Sequence, residues 1–129
     1  MDPQTSDYFA DIVATAQRAF QQVEYTTDST PERAILRLRA VYGRHRVFVT
    51  ELLGEGVRKY RYYLLLDNWV VAGFDNSPDP RAIRLKYGQV GEEHAGELTP
   101  HLHEQNKTQL RLTDDMAFSD FLEWLENNV

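Results

Sequence analysis

The feature that most constrains this chain is its period-two hydrophobic pattern in the middle. Between residues 34 and 74 apolar side chains recur at every second position, in runs separated only by short polar turns. In 34–42, Leu36, Leu38, Ala40 and Tyr42 point one way, and Ile35, Arg37, Arg39 and Val41 point the other. That alternation marks a half-buried strand. A second strand runs over 46–53, rich in Val and Phe. A third covers 57–66, with Tyr60, Tyr62, Leu64 and Leu66 on one face, and a fourth covers 69–74. The connectors Gly43-Arg44-His45, Gly54-Glu55-Gly56 and Asp67-Asn68 have turn chemistry, and the last suits a tight hairpin because both residues tolerate positive φ. Parallel strands need a crossover of about a dozen residues or more, so these strands form an antiparallel meander.

The flanks are helical. Phe9, Ile12, Val13, Ala16, Phe20 and Val23 recur at three- and four-residue steps and predict an amphipathic helix over 8–23, started by Asp2-Pro3 or Ser6. Thr26 to Pro31 reads as a polar breaker. Asp75-Asn76-Ser77-Pro78-Asp79-Pro80 ends the fourth strand, because two prolines remove backbone donors. Residues 80–88 read two ways. Asp79-Pro80 can cap a short helix ending at Gly88, yet Ile83, Leu85 and Tyr87 alternate with Arg84 and Lys86 as in a strand. Residues 88–108 read as a long loop, and Leu110 and Leu112 as a short edge strand. Thr113 then caps a final helix with Asp114 and Asp115 in its first turn and Phe118, Phe121, Leu122, Leu125 and Val129 as its buried stripe. The expected architecture is α+β: one domain over residues 1–129, with a four-stranded antiparallel meander packed by N-terminal and C-terminal helices.

Composition removes several functions. Cysteine is absent, which excludes disulfides, thiolate zinc sites and a cysteine nucleophile. The acidic, polar start is unlike a signal peptide, and apolar runs such as Leu64-Leu65-Leu66 are far short of a membrane span, so the sequence reads as cytoplasmic, without a membrane partner. The net charge of −6 is unevenly placed. Residues 33–86 hold eleven Lys and Arg against five Asp and Glu, and the rest of the chain holds three against fifteen. A basic middle can attract phosphates within an acidic protein. Equally, acidic terminal helices can pack beside the sheet and neutralise it.

No Walker loop, G-x-G-x-x-G, H-E-x-x-H or G-x-S-x-G is present. Three polar clusters remain. Tyr60-Arg61-Tyr62 on the third strand can stack bases and hold phosphate if its face is open, or can pack as core. Asp75-Asn76-Ser77-Pro78 can orient a catalytic group, or close an Asx turn. Pro100-His101-Leu102-His103 places two imidazoles on one face of an extended backbone, where they can trade protons. The same pair can hold a divalent metal given a third ligand such as Asp75, Glu104 or His94.

Taken in order, Tyr60-Arg61-Tyr62, Asp75-Asn76-Ser77-Pro78 and Pro100-His101-Leu102-His103 resemble the TumE-like family of small prokaryotic toxins of type II toxin–antitoxin modules. The resemblance implies a helix-turn-helix antitoxin as partner. The family often carries histidines directly after the turn proline, where this chain has Asp79-Pro80.

Three functions follow as expectations. The leading one is a toxin-like protein acting on RNA or another nucleic-acid-linked target, by metal-independent phosphodiester cleavage and without a cofactor. His101 and His103 exchange protons, Arg61 stabilises phosphorane charge, Asp75 orients a histidine, and Tyr60, Tyr62 and Asn76 bind substrate. The alternatives are a non-enzymatic protein-binding module and a metal-dependent hydrolase built on His94, His101, His103 and Asp75.

Overall fold

A computed structural model describes residues 1–89 and 91–129; residue 90, within the stretch expected as loop, lies outside them. The element order is α1 (Pro3–Ala19), β1 (Gln21–Ser29), β2 (Arg33–Tyr42), β3 (His45–Gly54), β4 (Val57–Leu66), β5 (Trp69–Asp75), α2 (Pro80–Tyr87), β6 (His101–Glu104), β7 (Gln109–Leu112) and α3 (Phe118–Asn128). The α+β class and the antiparallel meander are present. The sheet has seven strands rather than four, in the order β1-β2-β3-β4-β5-β6-β7 with every neighbour antiparallel.

The three additional strands are polar edge or near-edge segments. Residues 26–29, expected as part of a breaker, pair with β2 from Thr26↔Arg37 to Ser29↔Ala34. β1 buries almost nothing, so it has no apolar period to betray it. Its β-branched threonines and the open backbone edge of β2 make it a strand. The preceding helix ends at Ala19, earlier than the expected 23: Gln22 takes a positive φ of 54° and the β1 register shifts between Gln21 and Glu24. β6 interrupts the expected 88–108 loop, and β7 is the short edge strand expected at Leu110 and Leu112.

Local chemistry sets the helix boundaries. Asp2 accepts a hydrogen bond from the Thr5 amide at 2.8 Å, and Pro3 occupies the first turn. Residues 80–87 are helical. Asp79 accepts from the Arg81 amide at 2.8 Å, and Gly88 closes α2 in the left-handed region at φ 83°. Of the apparent strand alternation there, Ile83 is buried, while Leu85 is 58% exposed. Thr113 does not cap α3. The helix begins four residues beyond its expected first acids, where the Asp120 carboxylate accepts from the Ala117 amide at 2.8 Å. Val129, expected in the buried stripe, is exposed.

The core lies between α1, α3 and one face of the sheet. Phe9, Ile12, Val13 and Ala16 of α1 and Phe118, Phe121 and Leu125 of α3 cover Leu36, Leu38, Val47, Val49, Tyr60, Tyr62, Leu64, Phe74 and Leu102. Tyr62 stacks on Tyr60 and Phe121 with centroids 5.0 and 5.4 Å away. Such pairs contribute roughly 0.5–1.5 kcal/mol each beyond area burial. Among the described residues no helix is long and apolar enough to cross a membrane.

α1 and α3 therefore cover one side of the sheet, and α2 lies on the other, at the β6–β7 end. Because side chains alternate along each strand, Arg37, Arg39, Arg46, Lys59 and Arg61 all emerge on the other side. The acids Asp7, Asp11, Asp120, Glu123 and Glu126 are exposed on the covering helices. The open side is thus rich in cations, one of which, Arg39, is paired with Glu24 of β1 at 2.5 Å, while the outer faces of α1 and α3 are rich in acids.

Candidate functional site

Two rows of the ladder build the site on the open face. The first runs Arg37↔Thr50↔Arg61↔Asp75↔His101 across β2 to β6. The second runs Arg39↔Phe48↔Tyr63↔Gly73↔His103. His101 and His103 share a face, as their i, i+2 spacing requires. β5 brings Asp75 to the side of His101, and β4 brings Arg61 to Asp75. The start of α2 lies over the pair and contributes Asp79.

The two imidazoles touch: His101 Nε2 lies 3.1 Å from His103 Nε2. The Thr99 carbonyl, 2.5 Å from His101 Nδ1, accepts the proton there. This fixes the tautomer of neutral His101 with a lone pair on Nε2. His103 then donates from Nε2, and its Nδ1 is buried without a protein partner. Neither ring reaches the surface; His101 is 1% and His103 4% exposed. Burial, reinforced by His101, holds the His103 pKa below the ordinary imidazole value.

The carboxylates follow one pattern. Asp75 Oδ1 accepts the Ser77 amide at 2.7 Å, and its Oδ2 meets Arg61 Nε at 3.3 Å. Asp79 Oδ1 accepts the Arg81 amide, and its Oδ2 meets Arg81 Nη2 at 3.4 Å. Asp79 Oδ2 also stands 4.0 Å from His101 Nε2 and 3.9 Å from His103 Nε2. Burial raises the Asp79 pKa, but the Arg81 amide and guanidinium outweigh it and hold the carboxyl below its usual range. Asp75, His101 and His103 each offer a ligand atom, and these atoms lie within 4.8 Å of one another.

Tyr63 borders the cluster. Its ring lies across Gly73, where an added Cβ would stand 2.7 Å from Tyr63 Cζ. The ring centroid is 6.4 Å from that of His103, and Lys107 Nζ sits 5.2 Å from the Tyr63 ring centre. Burial, with Asp75 nearby, pushes the Tyr63 phenol up to about 12, so it stays protonated.

Of the residues singled out from sequence, His101, His103, Asp75 and Arg61 come together. Asp75 does not orient a histidine; its hydrogen-bonding partners are Ser77 and Arg61, and Thr99 holds His101. Tyr60 and Tyr62 lie on the opposite face, 2% and 0% exposed, and are core rather than a stacking platform. Asn76 is structural: its Oδ1 accepts the Tyr60 amide and its Nδ2 donates to the Arg58 carbonyl, both at 3.0 Å. His94 stacks on Tyr87 at 3.5 Å and faces Glu97, outside the cluster. Tyr63, Asp79 and Arg81 were missed as site residues. Asp79 carried a sequence signal, but only as a helix cap. Its convergence on the histidines depends on where α2 lands.

A second polar cluster lies on the core side. Glu51 is fully buried, and accepts from Tyr8 Oη at 2.7 Å, from Tyr62 Oη and from Arg58 Nη1 at 3.3 Å. Arg58 also reaches Asp115 at 2.8 Å and the Met116 carbonyl at 2.6 Å. Every member has a partner there, as a buried ionic network requires.

No protein-family model, curated protein or solved structure matches this chain.

Proposed function

We propose that this chain is a TumE-type toxin that binds RNA along the open face of its sheet and cleaves it at the His101–His103 end. The observation that carries the reading is the ladder register. It lines up Arg37, Arg61 and the Asp75–His101 pair in one row, and Arg39, Phe48, Tyr63 and His103 in the next. Four strand spacings of about 4.8 Å give a path of roughly 19 Å from β2 to β6. Guanidinium groups beside the exposed Phe48 ring and the half-buried Tyr63 ring suit a single strand, whose phosphates need cations and whose bases need flat partners. Arg37 and Lys59 make no ion pair among the described residues, and Arg61 is 61% exposed at its side chain. A depression of about 430 Å³ lined by Arg37, Arg39, Phe48 and Thr50 continues the path.

At the end of the path Arg61 and Arg81 meet the phosphate, and the histidine cluster activates the attacking oxygen. Two routes fit: direct proton transfer by the imidazoles, or a cation held between them. The acidic outer faces of α1 and α3 are then left for a basic partner such as a helix-turn-helix antitoxin.

The test is RNA affinity against salt, by fluorescence anisotropy with a short single-stranded oligonucleotide. Each phosphate contact contributes a slope of about −0.7 in log K against log salt. The double variant Arg37→Ala/Arg61→Ala should flatten the slope by about 1.4 and weaken binding. An unchanged slope, or no binding at low salt, rejects the RNA face. Cleavage is followed on the same RNA with chelator and with added Zn²⁺, Mn²⁺ or Mg²⁺. RNA left intact under all these conditions rejects the catalytic half.

A further inference from the structure

We infer that His101, His103 and Asp79, with Asp75 beside them, form a binding site for one first-row transition-metal dication of the zinc or manganese kind. Two ligand nitrogens at about 2.1 Å from a metal are about 3.0 Å apart at the right angle of an octahedral shell and about 3.4 Å apart at the tetrahedral angle of four-coordinate zinc. The two Nε2 atoms are 3.1 Å apart. The Asp79 oxygen is nearly equidistant from both, at 4.0 and 3.9 Å, so it lies across from the midpoint of the pair. A carboxylate in the same coordination shell needs to come only about 1 Å closer to each nitrogen.

The surroundings are those of a ligand set. The Thr99 carbonyl takes the Nδ1 proton of His101 and so points a lone pair from Nε2 into the cluster. A hydrogen bond on the far ring nitrogen is how metal-bound histidines are held. Each carboxylate has one oxygen fixed by a backbone amide two residues on, which aims the other oxygen. His103 Nδ1 has no protein partner, so only His101 has its far ring nitrogen held by the protein. Two imidazoles with carboxylates favour zinc, manganese or iron(II) over magnesium and calcium, which prefer all-oxygen shells. The burial of both rings fits ligands better than groups that must touch a polymer directly.

Charge balance gives the site a consequence. Without a cation, Asp75 and Asp79 lean on Arg61 and Arg81, whose side chains are 61% and 51% exposed. A dication takes over the carboxylates and releases both guanidinium groups toward the open face. This last step rests on the RNA reading; the metal site itself does not.

The experiment uses the full chain, stripped with chelator and dialysed, then titrated calorimetrically with Zn²⁺ and in parallel with Mg²⁺. The expected result is one equivalent of Zn²⁺ and no Mg²⁺. Asp79→Asn keeps the helix cap, since Asn caps as well as Asp, and should weaken Zn²⁺ binding at least about tenfold. His103→Gln should abolish it, and His94→Ala should leave it unchanged. Co²⁺ should give visible d–d bands in the wild type that are missing in His103→Gln. The inference is overturned if the wild type takes up neither Zn²⁺ nor Co²⁺, or if Asp79→Asn and His103→Gln bind as tightly as wild type. It is also overturned if His94→Ala is the variant that loses binding. Metal bound without RNA affinity removes the RNA reading alone, and RNA affinity without metal removes only the site.

Discussion

Gly73→Ala should destabilise the protein through a single contact. The position does not need positive φ, so an alanine backbone fits there. The obstacle is the Tyr63 ring, whose Cζ, Cε2 and Cε1 would lie 2.7, 2.8 and 3.0 Å from the new Cβ. Carbon atoms pack at about 3.5–4.0 Å, so the ring must lift by roughly 0.8 Å or turn off its rotamer. Its freedom is limited by Lys107 over the ring and His103 beside it. Overpacking of this kind costs about 1–3 kcal/mol. For a domain of this length that is a fall in Tm of roughly 3–12 °C. The decisive comparison is the same substitution on a Tyr63→Ala background, followed by urea denaturation. With the ring gone the added methyl meets no obstacle, and replacing a strand glycine should stabilise by about 0.5–1 kcal/mol. The sign of the effect therefore reverses between backgrounds. Equal effects on both, or a fully stable Gly73→Ala single variant, refute the ring–glycine contact and with it the described edge of the site.

Two further predictions concern buried charge. Arg58→Ala strands the fully buried Glu51 carboxylate and should cost about 3 kcal/mol, the low end for a broken buried pair because Arg58 is partly exposed. Arg58→Ala/Glu51→Gln should recover part of that loss, and a cost below about 1 kcal/mol in the single variant contradicts the network. In chelator-treated protein, the lowered His103 pKa means that the unfolded chain binds more protons than the native one between the folded value and about 6.5. Stability should fall as pH drops through 6.5 toward that lower value, and His103→Gln should flatten this limb of a urea-midpoint profile. A slope that survives the substitution assigns the titration to another group.

The legible part of the fold was the part that buries one face. β2 to β5 announced themselves because Leu36, Leu38, Val47, Val49, Tyr62 and Leu64 alternate with exposed arginines. β7 showed as a short edge strand through Leu110 and Leu112, but β1 and β6 did not. β1 is held by backbone pairing at an edge, so its side chains carry no pattern. β6 is buried on both sides by the sheet core and by α2, so His101, Leu102 and His103 are all buried and show no alternation of polarity. The site was legible only as residue types. Asp75, His101 and His103 stood out, but their meeting requires β6 to pair with β5 in one register. The tyrosines misled because Tyr-Arg-Tyr alternates whichever face is buried: the sequence could not say whether arginine or tyrosine looks outward. α3 decides it, since Phe118 and Phe121 need aromatic partners beneath them.

The seven-strand order explains how an acidic chain can present a basic surface. If the meander ended at β5, Asp75 would stand on an edge strand. Continuing to β6 places it in the interior, between an arginine and a histidine of its neighbours. α1 and α3 carry acids on one side of the sheet, while five cations from β2 to β4 look the other way, toward the side on which α2 lies. Net charge governs how the molecule behaves at long range, beyond a screening length of about 8 Å at physiological salt. Within that distance an approaching phosphate meets the face, not the total. If the proposed RNA reading holds, association should therefore be slow to start but strong once the open face is reached. Adding salt should then act in two opposing ways. It screens the repulsion from the acidic helices at a distance and weakens the phosphate contacts at the face. Encounter rates should rise with salt at first while residence times shorten, a pairing that a uniformly basic protein would not produce.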